Sequence, residues 1–374
     1  MSKLSAVATA GQSVWSDQIS RAMLDSGELD RRIRDDAVTG VTSNPSIFAA
    51  AIVGSADYDD QLIELAQDDA SVEEIVAALM TRDLQRACDT LRPVWDRTGG
   101  RDGHVSVEVD PELAHDTERT VAEARAWVKR IDRPNVLVKV PATPEGIPAI
   151  AALIGEGISI NVTLIFSLER YARVMEAYLT GLERFGAAGG EIASVASVAS
   201  FFVSRFDTEV DSRLEAIGTE HALALRGSAA VANARAAYAS FLDVFRGERW
   251  RRLVAAGARV QRPLWASTST KNDEYSDILY VERLIAPHTV NTMPLPTIDA
   301  YQDHGHDPAP IMGPEEFADA TNALEALASA GIDYDDVVQV LEDEGVGKFI
   351  ASWRDLLADV ERKAAGHRPG NPRI

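Results

Sequence analysis

Three short segments of this chain alternate branched apolar residues with other residues, and this alternation constrains the fold more than any other feature. The valines of 105–109 share one strand face, and the opposite face carries Glu108. In 136–140 the valines again share a face, whereas Lys139 lies on the other. The segment 158–163 repeats the pattern. Because successive side chains of a strand point to opposite faces, each segment is expected to present one apolar face to covering helices.

Helix-like stretches separate these segments, so the pattern indicates repeated strand–helix units. An outer sheet face of valine and isoleucine, with polar residues on the inner face near the strand ends, is typical of a closed (β/α)₈ TIM barrel. We predict such a barrel, with additional helices that are most prominent at the C-terminus, as a single domain over residues 1–374. Strands are predicted at 37–43, 103–109, 135–140, 157–163, 192–199, 262–267 and 288–292.

Local signals place helices between and after these strands. Asp110 followed by Pro111 is typical of an N-cap with proline at the first helical position, and it predicts a helix that runs towards Ile131. The C-terminal stretch 313–365 is predicted to form two helices, with Gly331 as the separator.

Composition excludes several classes of function. The formal charge of −21 argues against nucleic acid or an anionic membrane as a partner, because both bind basic surfaces. Cys88 is the only cysteine, which favours a reducing compartment, and its helical spacing predicts a buried filler rather than a nucleophile. Neither a membrane helix nor a signal peptide is predicted, so we expect a cytoplasmic protein. His304 and His306 are interpreted as loop residues rather than a metal site, because no third ligand accompanies them at suitable spacing.

Lys139 is the first candidate for chemistry, because it is one of only six lysines and lies in an apolar strand. A lysine amine desolvated inside a barrel is the usual nucleophile for a ketone carbonyl, with which it forms a Schiff base. The alternative is a buried structural lysine. Glu108 is interpreted either as a general acid/base for imine formation or as the ion-pair partner of Lys139. Asn161 and Thr163 could hold a hydroxylated substrate and a water, or fill the barrel interior without a catalytic role.

Four motifs resemble the ordered signature set of the transaldolase family. They are GVTSNPSIF at 40–48, KVPAT at 139–143, NVTLIF at 161–166 and NTMP at 291–294. Any one of these motifs is weakly specific, but the ordered set is very specific. The opening WSDQISR at 15–21 and the length of the chain resemble the longer bacterial branch of the family.

The resemblance implies a class I aldolase barrel that works through a Schiff base without a metal or an organic cofactor. The implied reaction belongs to the non-oxidative pentose phosphate pathway. It transfers a dihydroxyacetone unit between fructose 6-phosphate or sedoheptulose 7-phosphate and erythrose 4-phosphate or glyceraldehyde 3-phosphate. These sugar phosphates would be the partners of a monomer or homodimer. Two alternatives stay open: a fructose-6-phosphate aldolase-like enzyme that releases the enamine as free ketone, and a non-catalytic sugar-phosphate binder.

The resemblance also implies catalytic roles for four residues. Lys139 would be the Schiff-base lysine, and Glu108 the acid/base that works through a water held with Thr163. Asp17 would take the proton from the C4 hydroxyl as the C3–C4 bond breaks. The alternative for Asp17 is the N-cap of a helix that starts near Ile19.

Further residues are implied to bind the substrate. Asn44 and Asn161 would form hydrogen bonds with the hydroxyls of the retained three-carbon unit. Ser200 and Arg205 match the family's phosphate-binding segment, and a guanidinium suits a phosphate because it can bind two oxygens at once.

The segment ASTSTKN at 266–272 departs from the family pattern. Shorter members place a serine and an arginine two positions apart here, whereas Lys271 follows Ser267 by four positions. We assign the second phosphate cation to Lys271, with Ser267 as the matching serine. The alternative is a solvated loop lysine.

Overall fold

Eight parallel strands close into a barrel in chain order in the computed structural model, which describes residues 2–308 and 313–368. The strands are β1 (Gln12–Ser16), β2 (Val38–Val41), β3 (His104–Glu108), β4 (Val136–Pro141), β5 (Ile160–Ile165), β6 (Ser197–Phe202), β7 (Arg262–Ala266) and β8 (Thr289–Met293). Each strand pairs with the next along the chain, and β8 pairs with β1. The predicted (β/α)₈ TIM barrel is confirmed.

Helices connect the strands and extend the chain beyond the barrel. They are α1 (Lys3–Thr9), α2 (Arg21–Asp25), α3 (Glu28–Asp35), α4 (Pro45–Val53), α5 (Asp59–Gln67), α6 (Val72–Arg97), α7 (Thr117–Ile131), α8 (Gly146–Ile154), α9 (Leu168–Ala187), α10 (Ser204–Ile217), α11 (Glu220–Leu223), α12 (Ala229–Val244), α13 (Glu248–Ala255), α14 (Leu279–Arg283), α15 (Leu295–His304), α16 (Pro314–Ser329) and α17 (Tyr334–Ala365). Short 3₁₀ turns lie at Pro111–Leu113 and Ile192–Ser194.

The register between neighbouring strands brings the polar positions of the barrel interior side by side. Glu108 on β3 lies opposite Lys139 on β4, and Lys139 lies opposite Asn161 on β5. Between these positions, Val107 and Val138 are fully buried in the hydrophobic core. The alternation in the sequence therefore corresponds to an apolar outer face and a polar inner face.

Strand β1 was absent from the prediction because polar residues interrupt its apolar pattern. All five of its residues are nevertheless buried. Gln12 donates from Nε2 to Leu284 O at 2.7 Å, and Ser13 donates from Oγ to Asp102 Oδ2 at 2.5 Å. Buried polar groups are tolerated when they are hydrogen-bonded, and these partners lie far away in sequence.

Two predicted boundaries were wrong. The strand predicted at 192–199 begins only at Ser197, because its first part forms a 3₁₀ turn. Asp110 does not open the long helix: it caps the turn that follows it, and Asp116 caps α7.

The C-terminal helices follow the prediction, with Gly331 in a left-handed conformation (φ +101°) between α16 and α17. Helix α17 contacts α4, α6, α10 and β5. It approaches the end of β5 closely at Gly345, where a Cβ would lie 3.1 Å from Leu164 Cδ2 and 3.4 Å from Phe166. This close approach brings the next turn of α17 over the barrel mouth.

Within residues 2–308 and 313–368, no helix has both the length and the apolar character that a membrane crossing requires. The single domain over 1–374 stays a prediction, because part of that range lies outside the described residues.

Candidate active site

A cavity of about 140 Å³ lies at the carboxyl ends of the barrel strands. Eight of the ten residues that we assigned to the site line it: Asp17, Asn44, Lys139, Thr163, Ser200, Arg205, Ser267 and Lys271. Such a mouth is where the catalytic residues of TIM-barrel enzymes lie. The structure therefore brings together side chains from strands that are far apart in the sequence.

Lys139 and Glu108 form a buried ion pair beneath this cavity. Lys139 Nζ donates to Glu108 Oε2 at 3.1 Å and to Ser43 O at 3.0 Å, and both side chains are about 5% exposed. Burial raises the pKa of the Glu108 carboxyl, against the lowering effect of the neighbouring Lys139 ammonium. A carboxyl with a raised pKa can hold a proton and release it, so the ion pair and the acid/base role are compatible.

Thr163 offers an unused hydroxyl in the cavity that Lys139 also lines. It lies on β5 opposite Pro141 of β4, and it is fully buried. Its Oγ1 has no hydrogen-bond partner among the described residues. A buried polar atom without a partner is costly, so this hydroxyl is available to a water or to a substrate hydroxyl.

Asp17 follows β1, and its backbone N donates to Met293 O at 2.8 Å. Its carboxylate accepts from Thr42 Oγ1 at 2.7 Å. Burial raises the pKa of this carboxyl, against the lowering effects of the Thr42 bond and the nearby cations. The helix-cap alternative for Asp17 was wrong, because Ser20 caps α2 by accepting from Met23 N at 3.1 Å.

The two asparagines differ in their access to the cavity. Asn44 lines the cavity and also caps α4, where its Oδ1 accepts from Ile47 N at 2.9 Å. Asn161 does not line the cavity and is fully buried. Its Nδ2 donates to Ser106 Oγ at 3.0 Å, and its Oδ1 accepts from Ser200 Oγ at 2.7 Å. These bonds fix the orientation of the Asn161 amide and of the Ser200 hydroxyl.

Arg205 supplies one positive charge to the cavity. It lies in the first turn of α10, and its Nη1 is buried without a hydrogen-bond partner among the described residues. Its guanidinium lies 5.2 Å from the ring centroid of Phe202 and 5.8 Å from that of Phe349. Burial lowers the pKa of this guanidinium. An unpaired, partly desolvated arginine is suited to bind an anion.

Lys271 supplies a second positive charge to the same cavity. Its Nζ donates to Ser269 Oγ at 2.7 Å. Burial, and after it the charge of Arg205, lowers the pKa of the Lys271 ammonium. Ser267 lies in the left-handed region (φ +57°), and its Oγ forms a hydrogen bond with Ser204 Oγ at 2.8 Å. The two cations repel each other, so an anion between them would be stabilised by both.

A family model described as "Transaldolase/Fructose-6-phosphate aldolase" matches residues 14–360. The chain belongs to this family. A protein named Transaldolase from Thermobifida fusca (strain YX) is 54% identical over 367 residues, which cover 98% of this chain and 99% of its own. Another protein named Transaldolase, from Acidothermus cellulolyticus, is 56% identical over 362 residues, or 96% of each chain. A protein named Transaldolase 1 from Streptomyces avermitilis is 54% identical over 358 residues, or 95% of this chain and 94% of its own. The predicted resemblance is confirmed.

Seven residues that line the cavity of this family member were absent from the sequence-based assignment: Thr42, Phe202, Ala266, Ser269, Thr292, Pro294 and Phe349. Thr42 and Thr292 lie inside two of the signature motifs, and their Oγ1 atoms are 2.6 Å apart. Their position in the motifs was a signal that could have identified them. Phe349, on α17, has its ring centroid 5.9 Å from Lys139 Nζ. No local signal marked Phe349, because only the packing of α17 places it over the lysine.

The paired histidines lie apart from the residues that line the cavity, and each contacts a carboxylate. His304 is the last residue of α15 rather than a loop residue, and its Nε2 lies 2.9 Å from Asp277 Oδ1. His306 Nδ1 lies 2.6 Å from Glu282 Oε1.

Cys88 is fully buried in the core, as predicted.

Proposed function

We propose that the chain is a transaldolase that forms a Schiff base between Lys139 and the C2 carbonyl of a ketose phosphate. The observation that supports this most strongly is the buried amine of Lys139, 3.1 Å from Glu108 Oε2, in a cavity that also contains Arg205 and Lys271. A buried amine next to a proton acceptor suits attack on a carbonyl, and the two cations suit the phosphate of the same substrate.

Imine formation uses Glu108 and Thr163. Transfer of one ammonium proton from Lys139 to Glu108 frees the amine, whose nitrogen then bonds to C2 and converts the carbonyl to a carbinolamine. The carbinolamine loses its hydroxyl as water when a proton returns from Glu108. The unpaired Thr163 hydroxyl supports a role in holding the water that relays this proton.

Asp17 acts at the next step. Its carboxylate takes the proton of the C4 hydroxyl while the C3–C4 bond breaks. The electron pair of that bond passes to the protonated imine on Lys139, which becomes an enamine as the aldehyde product leaves. An acceptor aldehyde then takes the place of the first product, and the steps run in reverse. In this proposal Asn44 holds a hydroxyl of the retained unit through its amide Nδ2, because its Oδ1 accepts from Ile47 N. Ser200, which Asn161 orients, lines the same cavity.

Borohydride reduction in the presence of fructose 6-phosphate tests this function. The reduced Schiff base cannot hydrolyse, so the protein should lose activity and gain one three-carbon adduct on Lys139, located by mass spectrometry. An adduct on Lys271, or no adduct, would contradict the assignment of the Schiff base to Lys139.

Prolonged dialysis against a strong chelator should leave activity unchanged, because the imine of Lys139 rather than a metal ion accepts the electron pair. Inorganic phosphate should inhibit competitively with the sugar phosphate. Recovery of activity only after addition of a divalent cation would refute this mechanism.

The aldolase-like alternative uses the same lysine, so a coupled assay with and without acceptor aldehyde distinguishes the two reactions. The names of the three relatives favour transfer. A pure binder is disfavoured because binding alone does not require Asp17, Glu108 and Lys139 together.

The proposal also includes a cytoplasmic location, no binding of nucleic acid, and a monomeric or homodimeric state.

A further inference from the structure

Two cavities meet at Lys271, which lines both of them. One is the catalytic cavity of about 140 Å³, and the other holds about 170 Å³. Three carboxylates line the second cavity, from Asp207, Asp211 and Glu215. The ammonium can therefore be attracted by a substrate anion on one side or by carboxylates on the other. The contacts that orient the Lys271 side chain therefore determine whether its ammonium points towards a substrate anion or towards these carboxylates.

Among the contacts that hold the loop containing Lys271, two flank the lysine. Before the lysine, the buried Thr268 forms a hydrogen bond with Asn291 Oδ1 at 2.8 Å. After the lysine, Tyr275 donates its hydroxyl to Asp211 Oδ2 at 2.7 Å. Lys271 lies between these contacts, three residues after one and four before the other. The position of Lys271 therefore depends in part on these two contacts.

The contact at Tyr275 is built from backbone as well as side chains. Asp211 also accepts from Gly227 N at 3.0 Å through its other oxygen, so both carboxylate oxygens are engaged. The Tyr275 ring packs on Gly227, where a Cβ would lie 2.8 Å from Tyr275 Cζ and where φ is +71°. Asp211 belongs to α10, the helix that also contains Arg205. The contact therefore fixes the position of Lys271 relative to the helix that supplies the other cation.

We propose that Tyr275 is a positioning residue, which holds Lys271 towards the substrate phosphate through its hydrogen bond to Asp211. This inference rests on the proposed function, in which Arg205 and Lys271 bind that phosphate. The bond acts in two ways: it fixes the end of the loop, and it occupies a carboxylate that would otherwise attract Lys271 into the acidic cavity. Selectivity for phosphorylated over non-phosphorylated sugars is the expected consequence.

The experiment removes only the hydroxyl, in Tyr275→Phe. The KM for fructose 6-phosphate and the inhibition constant of inorganic phosphate should each rise about 10-fold, the usual scale of one charge-assisted hydrogen bond. The kcat with fructose 6-phosphate, and kcat/KM with non-phosphorylated fructose, should stay within about 2-fold, because Tyr275 does not touch the reacting carbons.

Three further variants separate positioning from general stability. Tyr238→Phe removes another tyrosine hydroxyl, which donates to Pro287 O at 3.0 Å away from this loop, and it should leave both constants unchanged. Asp211→Asn retains groups that can pair with the Tyr275 hydroxyl and Gly227 N, so its KM should stay close to that of the wild type. In the Tyr275→Phe background, Asp211→Asn should restore part of the lost affinity because it removes the competing charge.

A double-mutant cycle gives the decisive comparison. In a Lys271→Ala background, Tyr275→Phe should add less than about 2-fold to the KM for fructose 6-phosphate, because the side chain to be positioned is gone. Additive effects, or equal losses with phosphorylated and non-phosphorylated substrates, would overturn the positioning role. If Lys271→Ala raises KM and Tyr275→Phe does not, only this inference fails. If Lys271→Ala leaves KM unchanged, the assignment of Lys271 in the proposed function fails, and the inference fails with it.

Discussion

Lys139→Arg is expected to lower kcat by on the order of 10⁴-fold or more while the barrel stays folded. A guanidinium keeps the positive charge beside Glu108 but cannot form an imine with a ketone. A variant that removes the positive charge of Lys139 would be a poorer test. It would leave the buried Glu108 carboxylate unpaired, which destabilises a protein by about 3–5 kcal/mol, so folding and chemistry would fail together. Lys139→Arg separates the loss of chemistry from the loss of folding.

The measurements are steady-state turnover and thermal unfolding. The midpoint temperature of Lys139→Arg should fall by no more than about 4 °C, whereas turnover and the borohydride adduct should both be lost. Lys129→Arg, an exposed change on α7, is the matched control and should keep full activity. Residual turnover above about one tenth of the wild type would show that another amine forms the Schiff base.

Asp17→Asn and Glu108→Gln are expected to lower kcat by roughly 10²- to 10⁴-fold each, the usual range for a positioned acid or base. The two variants should stall at different steps. Asp17→Asn can still form the imine, because that step precedes the bond cleavage that needs Asp17. Glu108→Gln should form its adduct slowly, because the carbinolamine then loses water without an acid.

Mass spectrometry after borohydride reduction distinguishes these intermediates. A six-carbon phosphorylated adduct should dominate in Asp17→Asn, and a three-carbon adduct in the wild type. Asp17→Asn should fold normally, because an asparagine Oδ1 can still accept from Thr42 Oγ1. Accumulation of the three-carbon adduct at the wild-type rate in Asp17→Asn would show that Asp17 is not the base of the retro-aldol step.

The sequence was sufficient to predict the barrel and the pair at its centre. Alternation along β3 and β4 is a local property of the chain. It places Glu108 and Lys139 on the inner face independently of how the helices pack. Once the strands are parallel neighbours, their register brings the two side chains together at 3.1 Å. The apolar faces, which helices must cover, indicated the fold class for the same reason.

Strand β1 could not be predicted from the local sequence pattern. Its Gln12 and Ser13 are buried because Leu284 and Asp102 satisfy their hydrogen bonds, and no pattern within β1 reveals partners so distant in sequence. The boundaries around Asp110 were wrong for a related reason: an N-cap signal shows where a turn begins but not how far it continues as an α-helix.

The sequence by itself determined seven of the eight strands in their order, the inward position of Lys139 and Glu108, and the acidic charge, because of which an anionic substrate needs a local basic cavity. Only the tertiary structure determined that Phe349 on α17 covers the lysine and that Asn161 lies behind Ser200. It also showed that the Lys271 loop is held to α10 by Tyr275. The physical reason is the range of the interactions. Side-chain periodicity depends on neighbouring residues, whereas these contacts join segments that meet only after the barrel has closed.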